Sequence, residues 1–271
     1  VAREGVLFEH CYVSSPSCTP SRNAILTGQY HWRLGGGGNL WSVLDIRHQT
    51  YPHLLEDDGY FTGSWRKSWG PGNASNWKRY PSGARFKNPE DFLAKWKADG
   101  DKPFCFWFGA SEPHRSFKKG IGVANKMKLE DVSVPNFLPD TPEIRSDILD
   151  YYFEIQWFDQ HLGRMLDLLA KRGELENTIV IVTSDNGMAF PRAKANCYEA
   201  GIHVPLAIRF GPVAKADRVL EDLVGFVDLT ATILEAAGVD HPGAPYPPSG
   251  RSLMDLLRSE DQGLVDPTRD A

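Results

Sequence analysis

Two long apolar runs constrain the fold of this chain more than any other feature of its sequence. One is Pro103-Phe-Cys-Phe-Trp-Phe-Gly109, and the other is Asn177-Thr-Ile-Val-Ile-Val-Thr183. A continuous apolar run of this length is typical of a parallel strand that is buried on both faces beneath helices. Open α/β sheets place their sites just past the carboxyl ends of such strands. The two runs therefore predict an α/β fold with a site at that edge.

A cysteine stands just before a short segment of helical character, Cys18-Thr-Pro-Ser-Arg-Asn-Ala-Ile-Leu-Thr-Gly28. Pro20 suits a first helical turn and Gly28 suits a helix end, so the pattern predicts a helix over residues 20–28. Cys18 then lies at a helix N-terminus, where free N–H groups and the helix dipole favour an anion. Arg22 adds a fixed positive charge one turn later. Cys18 is therefore the candidate nucleophile, and an oxyanion is the expected ligand.

Polar residues follow both apolar runs. His114 and Arg115 come after the first run, and Asp185 and Asn186 come directly after the second. A histidine beside an anionic substrate can hold an oxygen or protonate the departing group. A carboxylate and an amide oxygen, adjacent at a strand end, suit a hard divalent cation. The sequence therefore predicts His114 as a site residue and a metal site at Asp185 and Asn186.

The run Cys18-Thr-Pro-Ser-Arg22, followed by Leu26-Thr-Gly28, resembles the signature of the type I sulfatases, the formylglycine-dependent members of the alkaline-phosphatase superfamily. The resemblance covers nearly the whole chain and looks closest to the sulfamidase, or heparan N-sulfatase, branch. It continues, in family order, through Lys67, His114, Asp185-Asn186-Gly187 and Lys194.

The sequence departs from the family pattern beside Lys67. Trp69 stands where the family has a histidine, and Arg66 stands where the family has a glycine. The first departure leaves open which residue handles the leaving group.

The resemblance implies a three-layer α/β/α sandwich with a mostly parallel central sheet. It implies a single sulfatase catalytic domain over residues 1–271, truncated at both ends. The chain opens at Val1, close to a strand pattern over residues 5–13, and stops at Ala271 shortly after a helical pattern. We therefore expect the first metal-binding strand and the C-terminal subdomain to lie outside these residues.

The resemblance also implies the chemistry of the site. Cys18 is converted to formylglycine by a formylglycine-generating enzyme, and one calcium ion is bound by Asp185, Asn186 and residue 18. The implied catalytic residues are Cys18, Arg22, Lys67 and His114, and the implied substrate-binding residues are Lys194 and Arg115. The expected reaction is hydrolysis of a sulfuric ester or a sulfamate on a sulfated carbohydrate. Two alternatives stay open: a phosphonate monoester or phosphodiester hydrolase of the same superfamily, and a non-catalytic relative that binds sulfated sugars.

Composition sets further bounds on partners and location. The 271 residues carry a formal net charge of −5, so the composition does not indicate a protein that binds nucleic acid. No run of about eighteen apolar residues exists, so no membrane span is expected. The four cysteines show no C-x-x-C spacing, and Cys11 and Cys105 are predicted to be buried, unreactive thiols. Export to a periplasmic, extracellular or lysosomal compartment is expected from the family resemblance alone.

Overall fold

The computed structural model describes residues 1–100 and 102–269. Its strands are β1 (Val6–Tyr12), β2 (Phe61–Arg66), β3 (Ala84–Arg85), β4 (Phe104–Gly109), β5 (Ile179–Thr183), β6 (His203–Phe210) and β7 (Arg218–Gly225). Its α-helices are α1 (Cys18–Thr27), α2 (Tyr51–Asp57), α3 (Pro89–Ala98), α4 (Ile121–Ala124), α5 (Pro142–Ala170), α6 (Glu199–Ile202), α7 (Phe226–Ala237) and α8 (Met254–Arg258). Short 3-10 helices lie at Ala2–Glu4, His31–Arg33, Gly35–Gly38, Leu129–Asp131 and Leu175–Asn177.

The strands form two sheets. One has four strands in the order β5-β6-β1-β7, and the other has three strands in the order β3-β2-β4. In the larger sheet β1 pairs in parallel with β7, whereas β6 is antiparallel to both β1 and β5. Strands β1, β5 and β7 therefore run in the same direction, and β6 alone is reversed. All pairings in the smaller sheet are parallel.

Helices cover both faces of the smaller sheet. Neighbouring residues of β4 point to opposite faces. Phe106 packs on Phe92 of α3, with ring centroids 4.5 Å apart, and Trp107 stacks on Tyr51 of α2 at 6.4 Å. The main core joins β1, β6 and β7 to residues of α1, α2, α7 and α8. This layering confirms the predicted α/β class.

The two apolar runs form β4 and β5, as the sequence predicts, but their burial differs from the prediction. Every residue of β5 and all of β4 except Gly109 are only half-buried. Each strand lies at the end of its sheet and has one strand neighbour among residues 1–100 and 102–269. Both strands are therefore less buried than predicted, because the outer edge of each lacks a strand neighbour among the described residues.

Strand β7 is an element that the sequence patterns do not predict. It alternates buried and exposed residues, but the charged Arg218 and Asp222 are on the buried side, and the apolar Val219 and Leu223 are exposed. The Arg218 guanidinium donates to the backbone carbonyls of Leu256, Leu257 and Asp261, and Asp222 accepts from the backbone N–H groups of Val265 and Asp266. The C-terminal segment thus satisfies the buried charges of β7, a contact that local sequence cannot reveal.

No helix within the described ranges combines the length and the apolar character that crossing a lipid bilayer requires.

Gly109, the last residue of β4, permits a close backbone approach that positions Lys67. The Lys67 N–H donates to the Gly109 carbonyl at 2.7 Å. A Cβ atom on Gly109 would lie 1.6 Å from the Lys67 carbonyl oxygen, and that atom belongs to the backbone and cannot rotate away. Only glycine therefore fits here without a shift of the chain that carries Lys67.

We predict that Gly109→Ala lowers the free energy of unfolding by about 2–3 kcal/mol, because the added methyl group forces two backbone segments apart. Urea denaturation measures the change. The matched control is Gly163→Ala in α5, where a Cβ meets nothing within 4 Å. That change should raise stability by about 0.5–1 kcal/mol through helix propensity. Equal effects of the two substitutions would contradict the steric argument.

Candidate active site

Helix α1 places Cys18 at its first turn. The helix begins at Cys18 itself, two residues before the predicted start, with Ser17 as the extended N-cap residue. It ends at Gly28, which adopts the left-handed conformation with a φ of 66°. The Thr19 hydroxyl donates to the Pro71 carbonyl at 2.6 Å, which fixes the helix start against the loop after β2. Cys18 is 3% exposed, so the side chain faces an enclosed space.

Three donors from two loops, one after β2 and one after β5, converge on the Cys18 sulfur. The Lys67 ammonium lies 3.0 Å from Sγ, and the Lys194 ammonium lies 3.6 Å from it. The Asn186 amide nitrogen is 4.0 Å away. Two ammonium groups and an amide donor at a helix N-terminus favour negative charge at this position. The arrangement suits an anionic nucleophile, an oxyanion bound beside it, or both.

Arg22 connects the elements that carry these donors. Its Nε donates to Asp185 Oδ2 at 2.7 Å, and its Nη1 donates to the carbonyl oxygen of Lys67. One guanidinium therefore links α1, the loop after β2 and the loop after β5. Arg22 is 7% exposed, so these contacts are shielded from solvent.

Asp185 is a half-buried carboxylate beside two cationic side chains. Its Oδ1 accepts a hydrogen bond from the Asn186 side-chain amide at 2.7 Å. Burial alone would raise the pKa of the Asp185 carboxyl. The positive charges of Arg22 and Lys67 outweigh this effect, and the pKa of Asp185 lies below its usual value.

Lys194 is placed by the loop that follows β5. Its backbone N–H donates to the Met188 carbonyl at 3.1 Å, which closes the loop on itself. The next residue, Ala195, donates from its backbone N–H to the Pro16 carbonyl at 2.9 Å. The loop is therefore bonded to the segment immediately before Cys18, and this contact sets the distance between Lys194 and the sulfur.

His114 and Arg115 lie at the predicted strand end but are not joined to this cluster. Both are exposed, and the His114 ring contacts the carbonyl oxygen of Arg115. Arg115 donates to Asp147 on α5 at 3.1 Å and to the Ala189 carbonyl at 2.7 Å. Within the described ranges, no hydrogen bond connects either residue to Cys18. In this conformation the Arg115 guanidinium supports the loop that carries Lys194 instead of facing the sulfur.

Asp185 and Asn186 offer oxygen atoms to a cation, but they do not complete a calcium site. Each oxygen of the Asp185 carboxylate accepts one hydrogen bond and keeps a lone pair free. Calcium takes about six to eight oxygen ligands. Residues 1–100 and 102–269 contain no group of three or more His, Cys, Asp or Glu side chains placed to hold a metal. The two residues therefore fit as part of a calcium site and need ligands from elsewhere.

The structure shows a cleft beside this site that the sequence patterns do not indicate. Its volume is about 460 Å³, and its lining residues are Arg66, Lys67, Trp69, Tyr80, Arg85 and Ser111. Strand β3, which carries Arg85, is two residues long, too short to recognise from hydrophobic periodicity. Only the resemblance drew attention to Trp69, as a departure from the family histidine.

Comparison with known proteins gives relatives in sequence and in fold. Human N-sulphoglucosamine sulphohydrolase is 29% identical to this chain over 312 residues, covering 96% of the chain and 60% of that relative. The N-acetylglucosamine-6-O-sulfatase of Bacteroides thetaiotaomicron is 23% identical, covering 98% and 67% respectively. The chain thus spans about 60% of the length of its human relative.

Solved structures share the fold. One is a protein in complex with its substrate D-glucosamine-2-N,6-O-disulfate, with a TM-score of 0.74 and 21% identity over 98% of this chain and 75% of that one. Another is the phosphonate monoester hydrolase of Agrobacterium radiobacter, with a TM-score of 0.75 and 16% identity over 98% of this chain and 72% of that one. At these identities the likeness shows an alkaline-phosphatase-like fold and no more.

The sulfatase family model matches residues 1–239, which is most of the chain and includes every residue of the cluster around Cys18. The chain belongs to the sulfatase family.

Proposed function

We propose that the protein hydrolyses a sulfuric ester or a sulfamate on a sulfated carbohydrate. The observation that carries this proposal is the convergence of Lys67, Lys194 and Asn186 on the Cys18 sulfur, at 3.0, 3.6 and 4.0 Å. A sulfate group carries its charge on oxygens, and fixed cations at short range stabilise that charge as it shifts in the transition state. The human relative's name, N-sulphoglucosamine sulphohydrolase, supports a sulfated glucosamine as the substrate class.

Residue 18 acts as the nucleophile in its formylglycine form, which a formylglycine-generating enzyme produces. In that form it supplies a hydrated aldehyde with two hydroxyl groups, one to attack sulfur and one to release sulfate afterwards. The surroundings of Cys18 fit such a group, because two ammonium groups and an amide N–H can donate to its oxygens. A serine at this position would offer a single hydroxyl group.

The remaining residues hold charge and protons. Lys67 and Lys194 balance the negative charge on the sulfate oxygens, and Arg22 keeps Lys67 and Asp185 in place. We assign His114 the donation of a proton to the leaving group. It lies in the loop after β4, and its side chain is exposed to solvent. Arg115 holds this loop through Asp147, and contributes to substrate binding from there.

We also propose that Asp185 and Asn186 are two of the ligands of a calcium ion, with residue 18 beside them. When bound there, calcium polarises the sulfate oxygens. The ion needs further oxygen ligands, because the described residues hold no group of three or more His, Cys, Asp or Glu side chains placed to bind a metal. The outer edges of β4 and β5 have no strand neighbour among the described residues, so a further strand can pair there and bring carboxylates to the site.

We also propose, from the resemblance to the sulfatase family, that the chain forms a single catalytic domain and that the protein is exported.

A second candidate function is hydrolysis of phosphonate monoesters or phosphodiesters. The fold of the phosphonate monoester hydrolase matches this chain as well as the sulfatase folds do, with a TM-score of 0.75. A phosphonate is also a tetrahedral anion, so the same two ammonium groups would bind it. A non-catalytic protein that binds sulfated sugars would also use the two ammonium groups, but it would not need a nucleophile at position 18.

Release of sulfate tests the proposed reaction and the role of Cys18 together. We expect the protein to release sulfate from N-sulfated or O-sulfated glucosamine faster than it releases phosphonate from an aryl phosphonate monoester. The Cys18→Ala variant should release neither, since the nucleophile is lost. In active wild-type protein, the peptide that contains residue 18 should be about 18 Da lighter than the thiol form, as conversion of thiol to aldehyde requires. Full activity with an unmodified thiol would overturn the mechanism.

Lys67→Ala and Lys194→Ala should each lower kcat by about 10²–10³-fold, because each removes a positioned charge from the transition state. Steady-state kinetics on an aryl sulfate measures the loss. Lys119→Ala is the matched control, since Lys119 is an exposed lysine outside the cluster. Near wild-type turnover in both site variants would show that the ammonium groups near the sulfur do not take part in the reaction.

Asp185→Asn should abolish tight calcium binding while it preserves the size of the side chain. The variant removes the negative charge that balances the cation and that Arg22 contacts at 2.7 Å. Metal analysis of the purified protein, and the shift of Tm on adding calcium, measure binding independently of activity. Asp57→Asn is the control, because Asp57 is an exposed carboxylate paired with Arg79. One equivalent of bound calcium in Asp185→Asn would refute the assignment.

A further inference from the structure

The cleft beside Cys18 continues the positive charge of the site away from the reacting group. Lys67 lines the cleft and also lies 3.0 Å from the Cys18 sulfur, so the cleft and the reaction centre share a wall. Two further cations, Arg66 and Arg85, line the same cleft. This local concentration of positive charge occurs in a chain with a net charge of −5. A ligand whose reacting group is bound at Cys18 would extend from Lys67 into this space.

Arg85 is the cation of the cleft that stays available to a ligand. The ion pairs of the described residues include Arg66 with Glu112 at 2.9 Å but none with Arg85. Arg85 is exposed, its guanidinium lies 5.3 Å from the centre of the Tyr80 ring, and its Nη2 lies 3.4 Å from the Arg66 carbonyl oxygen. The guanidinium is therefore oriented by an aromatic ring and a carbonyl, neither of which neutralises its charge.

The backbone around Arg85 is fixed. Arg85 pairs with Ser64 in the parallel β2–β3 ladder, and the next residue, Phe86, donates its N–H to the Ser64 carbonyl at 2.9 Å. Arg66 has a φ of 61°, in the left-handed region that non-glycine residues seldom adopt, and its guanidinium lies 4.8 Å from the Trp157 ring centre. Strand pairing thus holds Arg85 beside Arg66, the residue that precedes Lys67.

Aromatic side chains form the other part of the lining. The Trp69 and Tyr80 rings meet edge to face, with centroids 6.1 Å apart. Trp69 is 6% exposed and packs against Gly72, whereas Tyr80 is half-buried and presents part of its ring. The combination of an aromatic ring, a hydroxyl at Ser111 and a free guanidinium provides apolar contact, hydrogen bonding and charge for one sugar ring.

We propose that this cleft binds a second anionic group of the substrate, carried on the same sugar or on the adjoining one, with Arg85 as its main contact. A guanidinium fork matches the paired oxygens of a sulfate or a carboxylate. The inference rests on the proposed function, because it assumes that a sulfated sugar occupies Cys18. It makes the protein selective for glycans with more than one negative charge.

Kinetics on matched sugars tests the inference. The substrates are N-sulfated glucosamine, the same sugar with a second sulfate at O6, and the N-sulfated sugar linked to a uronic acid. Arg85→Ala should raise KM about tenfold for the sugar whose second anion occupies the cleft, with kcat changed less than about twofold, because one charged hydrogen-bonding partner is lost. The singly charged sugar should show less than about a threefold change in KM, and Arg85→Lys should recover part of the lost affinity. The two doubly charged sugars distinguish a second sulfate from a carboxylate.

Arg79→Ala is the control, because Arg79 pairs with Glu56 and Asp57 on the surface of α2 and does not line the cleft. Equal changes in KM for singly and doubly charged sugars, or no change for any, would overturn the inference. Absence of turnover with all three sugars in the wild-type protein would overturn the proposed function instead. In that case calorimetric binding of the disulfated sugar to wild-type and Arg85→Ala protein still decides the role of the cleft, and equal affinities would reject it.

Discussion

The ion pair between Arg22 and Asp185 is the contact on which the rest of the site depends. It joins Arg22 on α1 to Asp185 in the loop after β5. The two charged groups are 2.7 Å apart and largely shielded from solvent. The same guanidinium also reaches the carbonyl of Lys67, at the end of β2. Removal of one member of a buried pair leaves an uncompensated charge, which is far costlier than the loss of a surface pair. The positions of the nucleophile and of both neighbouring loops are therefore coupled through one side chain.

The α/β class and the central cluster could be predicted from sequence because they follow from local patterns. Continuous apolar runs gave β4 and β5, and proline and glycine at the ends of a short segment gave α1. The rule that sites form past the carboxyl ends of strands led to Asp185, which the structure places beside Arg22 and Asn186. The resemblance added Lys67 and Lys194, which lie near the Cys18 sulfur.

The remaining features depend on tertiary contacts that local patterns do not encode. Strand β7 has Arg218 and Asp222 on its buried side, and only the distant C-terminal segment makes that burial tolerable. Arg115 follows a strand, as predicted, yet its guanidinium pairs with Asp147, 32 residues later. Sequence gives the position of a residue along the chain but not the direction of a long side chain or its partner. The division into two sheets, and the half-buried state of β4 and β5, likewise depend on which strands pair across the fold, and local patterns do not specify that pairing.

The wide spacing of the site residues along the chain has a consequence for folding. The contacts of the Cys18 sulfur join it to Lys67, 49 residues away, and to Lys194, 176 residues away. Contacts between residues so far apart in sequence close large loops. The chain loses conformational entropy when such a loop closes, before the contact stabilises the fold. Topologies rich in these contacts therefore fold slowly. The helix around Cys18 can form early from local contacts, whereas its charged surroundings assemble only after β5 and the loop beyond it have docked. A polypeptide that ended before Lys194 would hold the nucleophile without that part of its electrostatic environment.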